Sequence, residues 1–452
     1  MWMLLWAPVA SAGGYFYSDS GIVATGRGGA FVAGADTQFA QQYNPAGLIR
    51  IDRPTINLGA SFVQQNVGFT RLRTDADPTA PDAFFPEVEN QASPFVIPQG
   101  GFAMPLGDDF AFAVGFYSPF APSSLYDEEG PQRYSIKDTL IYQFSVGPSL
   151  AWQPVDWFTI GVGLQWQYLQ VGQSVDITLD GSDDPSGDIA VDASVVDAFT
   201  PNANVGVLLE PVPEVSIGLS AQPGSSYVGR GSGTLDFTGN TLQEIGFIDP
   251  AVYTDDDVSL AIRLPWVLRA GVAVRPLEQL EIEGAVVWQG WSALGDLVVS
   301  DIDITVQPEL LPEDQREVAD TIALPAGFEN TTSVRLGVEW QPIDELALRA
   351  GGFYENGSLP QENLSVALMD PQKWQIGAGA SVLIEDRLTI DVAAAYLGFP
   401  DLQIRDSTVT QIDAGVLNGI ETTVVGNGDL RSNGWIVGVQ AQLGLGKRRD
   451  DG

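Results

Sequence analysis

The chain has 452 residues, 44% of them hydrophobic, and its 58 Asp+Glu against 21 Lys+Arg give a formal net charge of −37. A field of that sign repels phosphate backbones and excludes nucleic acid as a partner. The sequence contains neither Cys nor His, which removes disulfides, thiolate metal sites, the usual zinc sites and every His-dependent triad. What remains is an acidic chain with 50 Gly, 11 Trp, 12 Tyr and 21 Phe, well supplied for a core and poorly supplied for catalysis.

The chain opens on a short apolar run, Trp2–Val9, followed by the small-x-small pattern Ala10-Ser11-Ala12. This reads as an export signal over residues 1–12. Residues 13–50 are rich in Gly and Ala and show no sustained alternation. The segment is too long for a leader to a first strand and too apolar for a free tail, and it reads as a plug whose small residues pack closely against a surrounding wall.

From residue 51 onward the pattern changes to period two. Phe158, Ile160, Val162, Leu164, Trp166 and Tyr168 share one face, and Thr159, Gly161, Gly163, Gln165 and Gln167 the other. The same alternation returns in Val334–Trp340, Trp374–Ile384 and Trp435–Leu445. About a dozen alternating residues is the length of a tilted strand crossing a bilayer, longer than the usual ~5–6 of soluble strands. The apolar faces begin or end in aromatic residues, as interfacial girdles do.

Short turns at Leu106–Asp109, Gln153–Trp157, Glu210–Glu214, Arg275–Gln279, Gln341–Glu345 and Ile384–Arg387 alternate with seven longer polar connections. Those longer connections are Arg71–Pro94, Ala121–Asp138, Asp180–Asp188, Ser225–Asp257, Asp301–Thr331, Glu355–Pro371 and Pro400–Asn433. Thirteen connections join fourteen strands. The predicted fold is all-β: a 14-stranded antiparallel transmembrane β-barrel over residues 51–446, with the N-terminal hatch in its lumen and a short periplasmic tail at 447–452. The tight turns belong on the periplasmic side and the long loops outside.

At this level the residues resemble the FadL family of outer-membrane transporters for long-chain fatty acids and other hydrophobic molecules. The hatch carries GRGGAFVAGADTQFAQQYNPAGL with Asn44-Pro45-Ala46, and Asp52-Arg53-Pro54-Thr55 opens strand one. LPWVLRAGVAV from Leu264, WQGWSALGDL from Trp288 and the stretch from Ser333 through PQENL to DPQKW follow in the family's order. The resemblance implies a passive transporter in the bacterial outer membrane, not an enzyme, without a cofactor. Its partners are a hydrophobic small molecule, membrane lipid and lipopolysaccharide, and it works as a monomer. Cargo is captured by outer loops, passes between hatch and wall, and leaves sideways at a kink in strand three. Aromatic hydrocarbons as cargo, or a structural or porin-type barrel, are the alternatives.

The resemblance makes Asn44, Pro45 and Ala46 candidates for the substrate path. Ser118, Pro119 and Phe120 are candidates for the kink, because Pro119 cannot donate to a ladder; the other reading makes Pro119 the start of an outer loop. Arg27, Arg269, Arg335 and Arg349 are candidates for a carboxylate headgroup; the other reading is an Arg–Glu brace with Glu281, Glu283 and Glu339. Leu364 stands after Asn363 where the family tends to place Arg, which favours an uncharged cargo. The acidic runs Asp180–Asp188 and Asp255–Asp257 lack EF-hand spacing and read as solvated loop rather than a metal site. Leu311–Leu324 has the pattern of an amphipathic helix on the loop crown.

Overall fold

The computed structural model describes residues 20–446 apart from 75, 121–122, 179–182, 247, 249, 296, 301–320, 325–326 and 412–422. The leader expected at 1–12, the first residues of the hatch and the tail at 447–452 therefore lie outside the described residues.

The chain closes into one antiparallel barrel of fourteen strands. In chain order these are β1 (Thr55–Arg71), β2 (Phe95–Leu106), β3 (Phe110–Phe120), β4 (Asp138–Val155), β5 (Phe158–Thr178) and β6 (Asp188–Val212). Next come β7 (Val215–Gln222 and Ser226–Asp236), β8 (Val252–Arg263 and Val267–Leu277), β9 (Leu280–Gln289 and Leu297–Ser300) and β10 (Thr321–Leu324 and Thr331–Ile343). The last four are β11 (Leu346–Glu355), β12 (Lys373–Ile384), β13 (Leu388–Gly398) and β14 (Gly428–Gly444). Closure comes from β14 on β1, paired without a break from Thr55↔Gly444 to Arg71↔Gly428. Such closure leaves the sheet without a free edge, which is what lets strands cross lipid.

The apolar faces point outward. Leu164 is 61% exposed while its neighbour Gln165 is 8% exposed, so the face that alternates into lipid is the hydrophobic one. Exposed Trp152, Trp157 and Trp340 lie near the short turns, and exposed Trp166, Trp266, Tyr354, Trp374 and Tyr396 lie toward the long loops. These two sets form the aromatic belts. Among the described residues no helix is long and apolar enough to cross a membrane.

The expected connection Ser225–Asp257 is shorter than the sequence suggests. Most of it is ladder, with Ser226–Asp236 paired to Val252–Arg263 on one side and to Ala190–Val196 of β6 on the other. This stretch has no continuous apolar outward face, with Val228 and Val252 exposed among polar residues, because it rises above the membrane into water, where strand pairing needs only backbone partners. The helix expected at Leu311–Leu324 falls mostly outside the described residues, and its last four, Thr321–Leu324, pair as a strand with Leu297–Ser300.

Residues 20–51 are buried almost throughout and touch strands on all sides of the barrel. They form α1 (Ile22–Gly26), α2 (Ala40–Tyr43) and a 3₁₀ turn at Pro45–Arg50. Inward-facing glycines of the wall make room for this backbone. A Cβ on Gly161 would stand 2.2 Å from the amide N of Ala46, and Gly28, at φ 61°, sits where a Cβ would meet the Gly352 amide at 2.1 Å. Only glycine allows both the approach and the left-handed turn.

Candidate functional site

The inner segment is fastened to the wall by one carboxylate above all. Glu283 of β9 is fully buried, and its Oε1 accepts the backbone N–H groups of Val32 (2.6 Å) and Ala33 (2.9 Å). Its Oε2 accepts Gly34 N–H at 2.8 Å and an Arg27 Nη2 hydrogen at 3.1 Å. Arg27 also donates to Glu281 at 2.7 Å and lies 3.7 Å from Glu339, to which Arg349 donates at 2.5 Å. Arg27 and Arg349 thus belong to the brace between hatch and wall. A buried charge cluster of this kind is tolerated because each carboxylate is hydrogen-bonded as well as paired.

Asn44-Pro45-Ala46 serves the same end. The Asn44 amide donates to the carbonyls of Val32 (2.9 Å) and Val207 of β6 (3.0 Å), while its oxygen caps the Ala46 N–H at 3.2 Å. Pro45 takes the first position of the turn, where a missing N–H costs nothing. The three residues clamp the segment to β6 and are wholly buried.

Arg269 and Arg335 sit apart from this network. Arg269 of β8 is 5% exposed, with its guanidinium 5.8 Å from the Tyr43 ring centre. Arg335 of β10 donates to Ser333 at 3.0 Å and lies 4.8 Å from the Phe353 ring centre. Arg269 borders a cavity of about 30 Å³ between the inner segment and the wall, which Gln42, Tyr117, Pro119, Gln167, Asn202 and Leu264 help to line. A space of that size holds roughly a water or two, far less than the ~300 Å³ at which ligand pockets begin. Inner segment and wall are close-packed here.

Pro119 lies where β3 leaves its neighbour. Rungs between β2 and β3 end at Gly100↔Phe116, and the register with β4 shifts between Tyr117 and Phe120. Farther out the edges meet again, where the Gln91 N–H donates to the Leu125 carbonyl at 2.7 Å and Asn90 accepts the Leu125 N–H at 3.0 Å. Between these points no rung joins the two strands among the described residues, which leaves an opening in the ladder with Pro98 on one edge and Pro119 on the other. The start of the inner segment fills it: Ser20 Oγ donates to the Ser118 carbonyl at 3.3 Å, and the Gly21 N–H to Gln99 Oε1 at 2.8 Å. Ser118 Oγ in turn donates to the Gln143 carbonyl of β4.

Toward the long loops the lumen is apolar. Val67, Phe69, Ile141, Leu169, Val171, Leu260 and Trp291 of the wall pack with Leu359, Leu364, Val366 and Met369 of the β11–β12 loop in one buried cluster. That loop is tied down by Lys373, which reaches Glu355 at 2.8 Å and Asp370 at 2.5 Å, with Ser358 donating to Asp370. Burial pushes the Asp370 carboxyl above its ordinary range, against the pull of Lys373. Sequence reasoning missed this triad, although Lys373 was legible as one of the chain's few cations next to an Asp-Pro turn. In the acidic run before β6, Asp183 pairs with Arg71 at 2.8 Å and Asp188 with Arg133 at 2.6 Å, so both carboxylates serve ion pairs.

Comparison with known proteins agrees with this architecture. The family described as outer membrane protein transport protein (OMPP1/FadL/TodX) matches residues 3–444. A long-chain fatty acid transport protein of Salmonella typhi is 20% identical, covering 80% of this chain and 82% of its own. Alkane uptake protein A of Marinobacter nauticus is 25% identical, covering 86% and 83%. Among solved structures, a Pseudomonas aeruginosa FadL homologue superposes with a TM-score of 0.75 at 17% identity, over 97% of this chain and 100% of that one. The Ralstonia pickettii toluene transporter TbuX does so with 0.65 at 14%, over 95% and 99%.

Proposed function

The chain belongs to the OMPP1/FadL/TodX family of outer-membrane transport proteins, and from that premise we propose that its cargo is a long-chain fatty acid released through the side of the barrel. Transport of hydrophobic compounds across the outer membrane is the family's activity, and the protein is not an enzyme. The finer reading rests on one juxtaposition: an apolar cluster under the long loops leads to a polar cavity bordered by Arg269, beside the β2–β3 opening. An alkyl chain gains about 0.8 kcal/mol per CH₂ on leaving water, and a carboxylate at Arg269 gains about 1.5–3 kcal/mol from a charged hydrogen bond.

In this reading residues 13–50 act as a hatch. Cargo collects in the apolar cluster, and withdrawal of Ser20 and Gly21 from Ser118 and Gln99 clears the side opening. A second reading, neutral hydrocarbon cargo, is favoured by Leu364, which is buried in the apolar cluster where a cation would otherwise stand, and by the commitment of Lys373 to two carboxylates.

Uptake of labelled oleate and labelled toluene, in cells lacking their own hydrophobic-compound transporter, separates the two. Oleate uptake that drops several-fold in Arg269→Gln supports the fatty acid. Toluene uptake alone, indifferent to Arg269→Gln, overturns it in favour of hydrocarbons.

A further inference from the structure

We infer that the barrel has a second side opening, between β6 and β7, through which a single-chain amphiphile passes its alkyl tail from the lumen into a groove on the lipid-facing wall. This rests on the lateral release proposed above and adds to it a second place.

Rungs between β6 and β7 run from the short turn up to Val205↔Ala221 and begin again at Val196↔Arg230. Both rungs belong to one register, so the strands have parted and rejoined without slipping. Between them no rung joins residues 197–204 to 222–229 among the described residues. Each edge carries a proline, Pro201 and Pro223, that has no N–H to offer a ladder. The gap is stitched by side chains instead. Asn202 Nδ2 donates to the Pro223 carbonyl at 3.1 Å and to Ser225 Oγ at 2.5 Å, and the Val228 N–H donates to Asp197 Oδ2 at 2.8 Å. Beside it β8 is interrupted at the matching height, between Arg263 and Val267, around Pro265.

A space lies next to this gap on each side of the wall. Inside lies the polar cavity described above, to which Asn202, Gln222, Ser225 and Arg269 contribute. Outside lies a groove of about 430 Å³ that begins at the closing rung Val205↔Ala221. There the small Ala221 and Ala270 leave a depression among Leu219, Leu268, Val286 and Trp288. Arg269 borders both spaces. Amides and a guanidinium on the inner side suit an oxygen-bearing head, and the outer groove offers an alkyl tail an apolar bed of ordinary ligand-pocket size. Exposed Trp266 puts the gap at the level of the outer aromatic belt, so a tail entering the groove is already among lipid chains.

The chain contains no Cys, which makes staples clean. Asn202→Cys with Ser225→Cys closes the β6–β7 gap on oxidation, and Gln99→Cys with Tyr117→Cys, one position beyond the last β2–β3 rung, closes the other. Heat-modifiable migration on gels checks that each barrel is folded. Labelled oleate uptake should fall at least two-fold in the oxidised β6–β7 staple and return on reduction. Ala270→Trp, which fills the groove without thiols, should lower uptake to a similar degree. Uptake unaffected by both the β6–β7 staple and Ala270→Trp, but abolished by the β2–β3 staple, overturns the second opening and leaves lateral release standing. Uptake indifferent to all three overturns lateral release as well.

Discussion

The two openings in the wall differ in what keeps them shut. At β2–β3 the rungs stop at Gly100↔Phe116, beside a register shift between β3 and β4, and the gap is filled from within, by Ser20 and Gly21 of the inner segment. At β6–β7 the register is unbroken, and the edges hold each other through Asn202 and Asp197. The first is therefore coupled to everything that fixes the inner segment, down to Glu283 on the far wall. The second answers only to local side chains. A barrel can thus open its wall either by moving a plug or by releasing a stitch, and the two leave different energetic signatures.

The largest separation between them is expected from Glu283→Ala. It leaves three backbone N–H groups buried without their acceptor and takes from Arg27 one of its carboxylate partners, and breaking a buried pair of this kind costs about 3–5 kcal/mol. Amide exchange in residues 20–34 should accelerate by orders of magnitude while residues 197–204 keep their protection. Equal exchange in wild type and variant would mean that the inner segment is held by other contacts.

Pro119→Thr restores a backbone donor at the β2–β3 edge. With the β6–β7 staple oxidised, so that only one opening operates, it should reduce oleate uptake several-fold. Undiminished uptake in that background removes Pro119 from the gate.

Asn202→Ala is the converse and gentler change. It deletes the two hydrogen bonds that cross the gap and a local one accepted from the Ala203 N–H, each worth about 0.5–1.5 kcal/mol, and should raise exchange in 222–229 roughly ten-fold with no change in 20–34. If the inner segment responds too, the openings are coupled and the contrast drawn here fails.

The smallest effect concerns the outer loop. Because burial raises the Asp370 carboxyl, the folded loop binds a proton more tightly than the unfolded one. The contribution is fully present below the ordinary Asp range near ~3.9 and is lost as pH rises through the raised value. Residues 364–369 should therefore be better protected at mildly acidic pH than at neutral, after correction for intrinsic exchange, and Asp370→Asn should flatten the dependence. Protection that increases with pH would show that the pairing with Lys373 outweighs burial.

Much of the frame was legible in the residues. The six tight turns stand where Pro and Asp interrupt the alternation, and Phe158–Tyr168 gives the outward and inward faces of β5 directly. The strand extensions at Ser226–Asp236 and Val252–Arg263 were not legible, because alternation reports an environment split between lipid and lumen, and these residues have water on the outside. Of the site, Pro119 carries its own signal in its missing N–H. Pro201 and Pro223 carry the same signal, yet each looks like an isolated strand defect until the two are seen to face each other. Arg27 and Glu283 stand 256 positions apart, and no local pattern joins them.

Sequence by itself determined that this chain makes a closed, lipid-facing β-barrel with tight turns at one end, because period-two hydrophobicity and turn chemistry are local properties of consecutive residues. Tertiary structure alone decided where that wall is open, what fills each opening, and which arginines are already spent on Glu281, Glu283 and Glu339. A missing rung is a property of two strands, and a buried ion pair is a property of whichever side chains the closed barrel brings together.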